Sequence, residues 1–158
     1  VCQAGTSDSQ CGSGGKVCSV CKWYQYCSAK KCSFDPSSLW FVDIVEVTLE
    51  QTSYKWDVGS AEESKPDLFV EFSTGSVSHT TATVWNSYTA VYNEYMFLVP
   101  ASDLMTEIHY VVKDRDTVFH DTVCDITEVI YQSEIENGSA TIYTSCVNGM
   151  VTLKLKFY

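Results

Sequence analysis

The stretch Ile108-His109-Tyr110-Val111-Val112-Lys113-Asp114-Arg115-Asp116-Thr117-Val118-Phe119-His120-Asp121 decides how this chain is read. Its first half alternates. Ile108, Tyr110 and Val112 share one face while His109 and Lys113 point the other way, the period of a half-buried strand. The second half leaves that strand, turns, and re-enters another. Asp114 and Asp116 sit two apart at the strand end, so both side chains and the Arg115 carbonyl can converge if the chain curls around a point. Asp121 returns to that point from the far side.

Outward from this stretch, everything beyond Pro36 shows alternating, β-branched and aromatic runs broken by polar turns. The pattern predicts eight strands, over residues 39–50, 67–73, 78–85, 93–99, 106–113, 122–131, 140–146 and 150–158, with no convincing helix. Asn148-Gly149 between the last two is a two-residue hairpin signal. The expected fold class is all-β, an eight-stranded antiparallel Greek-key β-sandwich preceded by a small disulfide-rich module. Cys124 and Cys146 fall on the sixth and seventh strands, a plausible pair tying the end of the sandwich together.

A second acidic loop, Trp56-Asp57-Val58-Gly59-Ser60-Ala61-Glu62-Glu63-Ser64-Lys65-Pro66-Asp67, joins the first two strands. In a Greek-key sandwich it can lie at the same end as the first loop. Asp57 and Asp67 at its two mouths then complete, with Asp114, Asp116 and Asp121, a cup of aspartates. Such carboxylates repel and raise one another's pKa unless a cation lies between them. Calcium takes about six to eight oxygens at roughly 2.3 to 2.6 Å, carboxylates and carbonyls mixed, so the cup suits it. Turns are also rich in Asp for the plainer reason that its side chain caps them.

Between Asp116 and Asp121 stand Val118 and Phe119, two large apolar residues at a loop tip where water should be. Burying both in an acyl interface would return about 3 to 6 kcal/mol, too little for a lasting anchor alone but useful beside a calcium bridge to lipid phosphate. The alternative is that they fold back under the loop.

The chain's first 32 residues are of another kind. They hold Cys2, Cys11, Cys18, Cys21, Cys27 and Cys32 among Gly, Ser and Lys, with little apolar periodicity. So small a module cannot bury a sizeable core, and three bridges at very roughly 2 to 4 kcal/mol each would have to hold it. Cys18-x-x-Cys21 lacks the second pair or the spaced histidine of a zinc site, which favours disulfides. The expected division is therefore a cysteine-rich module over 1–34 and a sandwich domain over 35–158.

Eight cysteines in 158 residues favour an oxidising compartment, hence secretion, and the Asn137-Gly138-Ser139 sequon fits it: Asn137 is the candidate glycosylation site, and glycosylation would put it on an exposed loop. No apolar run of about 18 residues occurs, and no charged leader with an apolar core precedes the first strand, so no span or signal is expected in these residues. The net charge of -10 is uneven, with four Lys against one Asp in residues 1 to 32 and nineteen acids against six bases beyond. Such a body repels nucleic acid.

These motifs carry a family resemblance. The Asp-x-Asp run after a strand, Pro66-Asp67-Leu68-Phe69-Val70-Glu71-Phe72, and Val84-Trp85-Asn86 followed by Asn93-Glu94-Tyr95-Met96-Phe97 resemble the C2 domain, over about residues 38 to 158. More narrowly, Thr83-Val84-Trp85-Asn86, Cys124 after the acidic loop, and the ending from Cys146 through Leu153-Lys154-Leu155-Lys156-Phe157 are similar to the C-terminal EGF-like plus C2 region of the perforin family. The resemblance implies Ca2+-dependent binding of phospholipid head groups, with Asp57, Asp67, Asp114, Asp116 and Asp121 as ligands. It implies no pore formation, since the pore-forming part of perforin has no counterpart in these residues.

No enzyme is expected. His79, His109 and His120 have no evident carboxylate or nucleophile partner by spacing, and the cysteines are better used as bridges. His120 beside Asp121 would be a pH-sensitive neighbour of the metal site. The rival reading is a secreted adhesion, matrix or toxin-like protein that uses the sandwich as a scaffold and the basic cysteine-rich module for a protein partner.

Overall fold

The computed structural model of the chain describes residues 7–12, 19–51, 55–56, 65–116, 120–146 and 149–158, with residues 94–96 described by backbone alone. Asp57, Val118, Phe119, Cys2 and Cys18 lie outside the described residues, as do Glu62, Glu63 and Asn148. Two compact units emerge, one of residues 1–39 with 100–102, the other of residues 40–99 with 103–158. The first unit's boundary after Leu39 lies five residues beyond the end of the module expected over 1–34.

The first unit is built on a hairpin, β1 (Gln25–Ser28) and β2 (Lys31–Phe34), preceded by a short 3-10 turn at Asp8–Gln10. Ala29 and Lys30 turn the hairpin at φ 49° and 66°, left-handed values that favour Gly or Asn. Covalent staples compensate. Cys27 and Cys32 face each other across the hairpin, and bridges run from Cys11 to Cys27 and from Cys21 to Cys32. The Asp8 side chain accepts the Cys27 N–H at 2.6 Å, while its carbonyl accepts the Cys21 N–H at 2.8 Å.

The second unit is built on β3 (Leu39–Leu49), β4 (Leu68–Thr74), β5 (Val77–Thr80), β6 (Thr89–Pro100), β7 (Ile108–Asp114), β8 (Asp121–Glu128), β9 (Ser139–Cys146) and β10 (Gly149–Phe157), whose end residues Leu39 and Pro100 fall in the first unit. They form two four-stranded sheets, ordered β6-β3-β10-β9 and β5-β4-β7-β8. Alternation places the core. Val42, Ile44, Val47 and Leu49 from β3 and Val151, Leu153, Leu155 and Phe157 from β10 are buried, as are Leu68, Val70 and Phe72 from β4 and Ile108, Tyr110 and Val112 from β7. His109 and Lys113 stay partly exposed, so the two faces of β7 separate as its alternation requires.

The sheets meet face to face. Phe72 of one packs on Phe97 of the other with ring centroids 5.3 Å apart, and the Tyr110 hydroxyl lies 3.4 Å from Thr144 Oγ1. At one edge the Cys124–Cys146 disulfide joins β8 to β9, crossing from sheet to sheet. Gly149 pairs with Cys146 as the first residue of β10, so it belongs to the strand and not to the two-residue turn expected at Asn148-Gly149; Asn148 lies outside the described residues.

Four expectations are corrected. Two short helices interrupt the all-strand reading, α1 (Ala101–Thr106) and α2 (Gln132–Asn137), each too short at six residues to show helical periodicity. β8 accordingly stops at Glu128 rather than at residue 131. Glu134 then accepts the Tyr131 N–H at 2.9 Å, and Gly138 at φ 78° closes α2 with a left-handed cap. Asn137 is exposed at the end of that helix, not on a loop. β5 is also short, because residues 81–88 leave the regular ladder: the Thr81 N–H donates to the Val70 carbonyl and its hydroxyl accepts the Val70 N–H, both at 2.9 Å, and Val84 bridges to Leu68. Among the described residues no helix is long and apolar enough to cross a membrane.

Candidate metal centre

β4 begins at Leu68 and β7 ends at Asp114, and the antiparallel ladder sets these two residues opposite each other. Asp67 stands one step beyond, where Pro66 brings the chain in. Its N–H donates to Asp114 Oδ1 at 2.6 Å, and its carbonyl accepts the Arg115 N–H at 3.0 Å. Its own carboxylate accepts the Asn86 N–H at 2.7 Å. Two carboxylates are thereby buried side by side, Asp114 at 0% exposure and Asp67 at 9%. A buried carboxylate is tolerated only where donors or a cation compensate for lost water, and the charge-assisted backbone bonds supply part of that compensation.

The same ladder sets Asp121, the first residue of β8, opposite Asp114. The register skips Val123 between the Val112↔Cys124 and Lys113↔Thr122 pairs, a bulge that bends the strands just before the acidic turn. Asp121 is exposed and Asp116 partly exposed. The described ends of the turn fold over Phe69 on the outer face of β4: the Arg115 guanidinium sits 5.2 Å from the ring centre and His120 meets the ring edge-on at 5.3 Å. Phe69 is only 2% exposed as a result.

Four of the sequence-derived site residues, Asp67, Asp114, Asp116 and Asp121, thus come to one end of one sheet, and Arg115 lies among them. Asp57, Val118 and Phe119 fall outside the described residues. The donor set is anionic oxygen throughout, which suits calcium and not a soft metal. It is gathered without being closed. Among the described His, Cys, Asp and Glu residues, the trio whose ligand atoms lie within 4.8 Å of one another is Cys11, Cys21 and Cys32, and their sulfurs are used in the bridges of the first unit. Asp116 and Asp121 would have to swing inward to join the buried pair on one ion.

Sequence reasoning missed two features. Residues 81–88 contribute to the site, because Asn86, at φ 53°, turns its N–H onto Asp67. An Asn directly after an apolar residue in a polar run was the available signal, since Asn tolerates the left-handed region. His109 also has a carboxylate partner, Asp125 Oδ1 at 2.7 Å from Nε2, on the outer face of the same sheet. Spacing along the chain could not show a pair formed diagonally between strands. A surface cavity of about 360 Å³ lined by Ser73, Thr74, Gly75, Asp103, Thr106, Glu107 and His109 lies at the other end of β4 and β7 from the aspartates.

No family model and no curated protein matches the sequence. The structure, however, matches solved C2 domains. One described as the structure of a C2 domain gives a TM-score of 0.52 at 14% identity over 75% of this chain and 96% of that one. The calcium-bound C2A and C2B domains of extended synaptotagmin 2 give 0.55 at 16% identity, over 77% of this chain and 46% of that one. The C2A domain of plant extended synaptotagmin 1 gives 0.53 at 15% identity, over 77% and 95%. At such identities the likeness is one of fold, and the sandwich has the C2 fold.

Proposed function

We propose that this chain is a secreted protein that docks on phospholipid surfaces in a calcium-dependent manner through the loop end bearing Asp67, Asp114, Asp116 and Asp121. The observation that carries the reading is the buried, hydrogen-bonded Asp67–Asp114 pair at the paired ends of β4 and β7. The C2 fold supports it, and one of the matching structures is a calcium-bound C2 pair. Calcium bound there supplies positive charge that the carboxylates hold on one side and lipid phosphate contacts on the other. Asp67 and Asp114 give the fixed part of the site, Asp116 and Asp121 the part that closes, and Asp57 is its fifth carboxylate. Val118 and Phe119 follow into the acyl boundary.

Without the ion, a protein of net charge -10 is repelled by an anionic leaflet. Secretion rests on the disulfides, and glycosylation of Asn137 on its exposure. In the finer reading the chain is the targeting part of a perforin-like protein, with the first unit as its EGF-like module. That unit's exposed Trp23 and Tyr26, beside Lys22 and Lys31, also give it a surface for a protein partner. The protein acts by binding and not by catalysis.

Chelator-stripped protein titrated with calcium tests the metal step. The melting temperature should rise over about 0.1 to 1 mM metal, as for an ordinary extracellular site. No shift by about 5 mM, several-fold above that range, would remove the aspartate site from the account.

A further inference from the structure

Unit two treats its three tryptophans unequally. Trp40 and Trp56 are buried at 4% and 6% exposure, whereas Trp85 is 60% exposed in the segment between β5 and β6. That segment is tied down on both sides of the indole. Val84 exchanges both backbone hydrogen bonds with Leu68 at 2.8 and 2.9 Å, the Ser87 N–H donates to the Pro66 carbonyl at 2.9 Å, and the Asn86 N–H donates to the Asp67 carboxylate at 2.7 Å. Every one of these partners is Asp67 or its neighbour in the chain. Trp85 is therefore a large, exposed ring held by a fixed backbone at the rim of the aspartate site.

We infer that Trp85 is an interfacial anchor of that site, and that its ligand is the headgroup-to-acyl boundary of a phospholipid bilayer. The inference rests on the docking reading above and adds to it a residue, a loop and a depth. An indole has an apolar body and one N–H donor, the combination that partitions to a membrane interface where one end is dry and the other wet. The fixed backbone means that little conformational freedom is lost on contact, which favours binding. The Asn86 N–H bond to Asp67 ties the backbone next to Trp85 to a carboxylate of the proposed ion site, so on the docking reading ion and indole meet the same leaflet together.

The experiment uses the full chain with vesicles of phosphatidylcholine and phosphatidylserine in calcium. Trp85→Ala should weaken vesicle binding about tenfold, the loss expected for removing one interfacial ring. Its calcium-induced melting shift without lipid should stay as in wild type. Tryptophan emission should move to the blue on vesicle binding and be quenched by brominated lipid, and Trp85→Phe should lose most of both changes while Trp23 remains. If wild type binds vesicles and both Trp85 variants match it in affinity, the anchor is wrong although lipid docking stands. Loss of the calcium shift in Trp85→Ala would also overturn it, by showing that the ring supports the metal site. Absence of vesicle binding in wild type would remove the docking reading and this inference together.

Discussion

The N–H of Asp67 donates to Oδ1 of Asp114 at 2.6 Å across the paired ends of β4 and β7, joining two acids that are both withdrawn from water. The bond gives Asp114 two separable roles, as acceptor for a buried donor and as carrier of charge. Asp114→Ala removes both and leaves the Asp67 N–H buried without this acceptor, which should cost about 1 to 3 kcal/mol in urea unfolding. Asp114→Asn keeps an oxygen in place, so its unfolding free energy should stay nearer wild type while its calcium-induced melting shift disappears. Equal calcium responses in Asp114→Asn and wild type would separate this pair from metal binding.

The Cys124–Cys146 bridge closes a loop with a sequence separation of 22 and crosses between the two sheets. Restricting the unfolded chain by such a loop is worth about 3 kcal/mol. Cys124→Ser with Cys146→Ser should therefore lower the guanidinium midpoint by the equivalent of that figure. A midpoint equal to wild type would show that the β8–β9 edge holds without its bridge.

Tyr110 lies wholly within the sandwich, and burial pushes its phenol above the ordinary value of 10.0, against a smaller opposite effect from its Thr144 hydrogen bond. The folded state then holds its proton more tightly than the unfolded state does. Its contribution is fully present below pH 10 and is lost as pH rises above that value toward the folded pKa. The stability of wild type should fall more steeply above pH 10 than that of Tyr110→Phe in chemical unfolding series. Parallel slopes would show that Tyr110 ionises as freely folded as unfolded.

Period-2 alternation made the sandwich legible, because each strand buries one face: β7 and β10 read directly from Ile108, Tyr110 and Val112 and from Val151, Leu153 and Leu155. The helices were not legible, since α2 rests on a glycine cap and a Glu134 hydrogen bond instead of an apolar stripe. The β1–β2 hairpin was hidden for a related reason: Ala29-Lys30 is poor turn chemistry that disulfides override. At the site, Asp114, Asp116 and Asp121 were visible because they border strands in one continuous stretch. The part played by Asn86 and the His109–Asp125 pair arise from register between strands, which residue spacing does not encode.

Val118 and Phe119 offer no oxygen to a metal, so they separate lipid from calcium. Val118→Ser with Phe119→Ser should weaken calcium-dependent vesicle binding by about 3 kcal/mol or more, most of their burial energy, while calcium affinity without lipid barely moves. Unchanged vesicle binding would mean that this tip does not enter the bilayer, and would favour a scaffold for protein adhesion.

The most direct test of the central claim is co-sedimentation of the stripped full chain with phosphatidylserine-containing vesicles, with calcium and with chelator, for wild type beside Asp114→Asn. The account predicts that wild type pellets with vesicles in calcium, stays in solution with chelator, and that Asp114→Asn stays in solution in both while remaining folded. Equal pelleting of wild type with and without calcium, or pelleting of Asp114→Asn at the wild-type level, would contradict it.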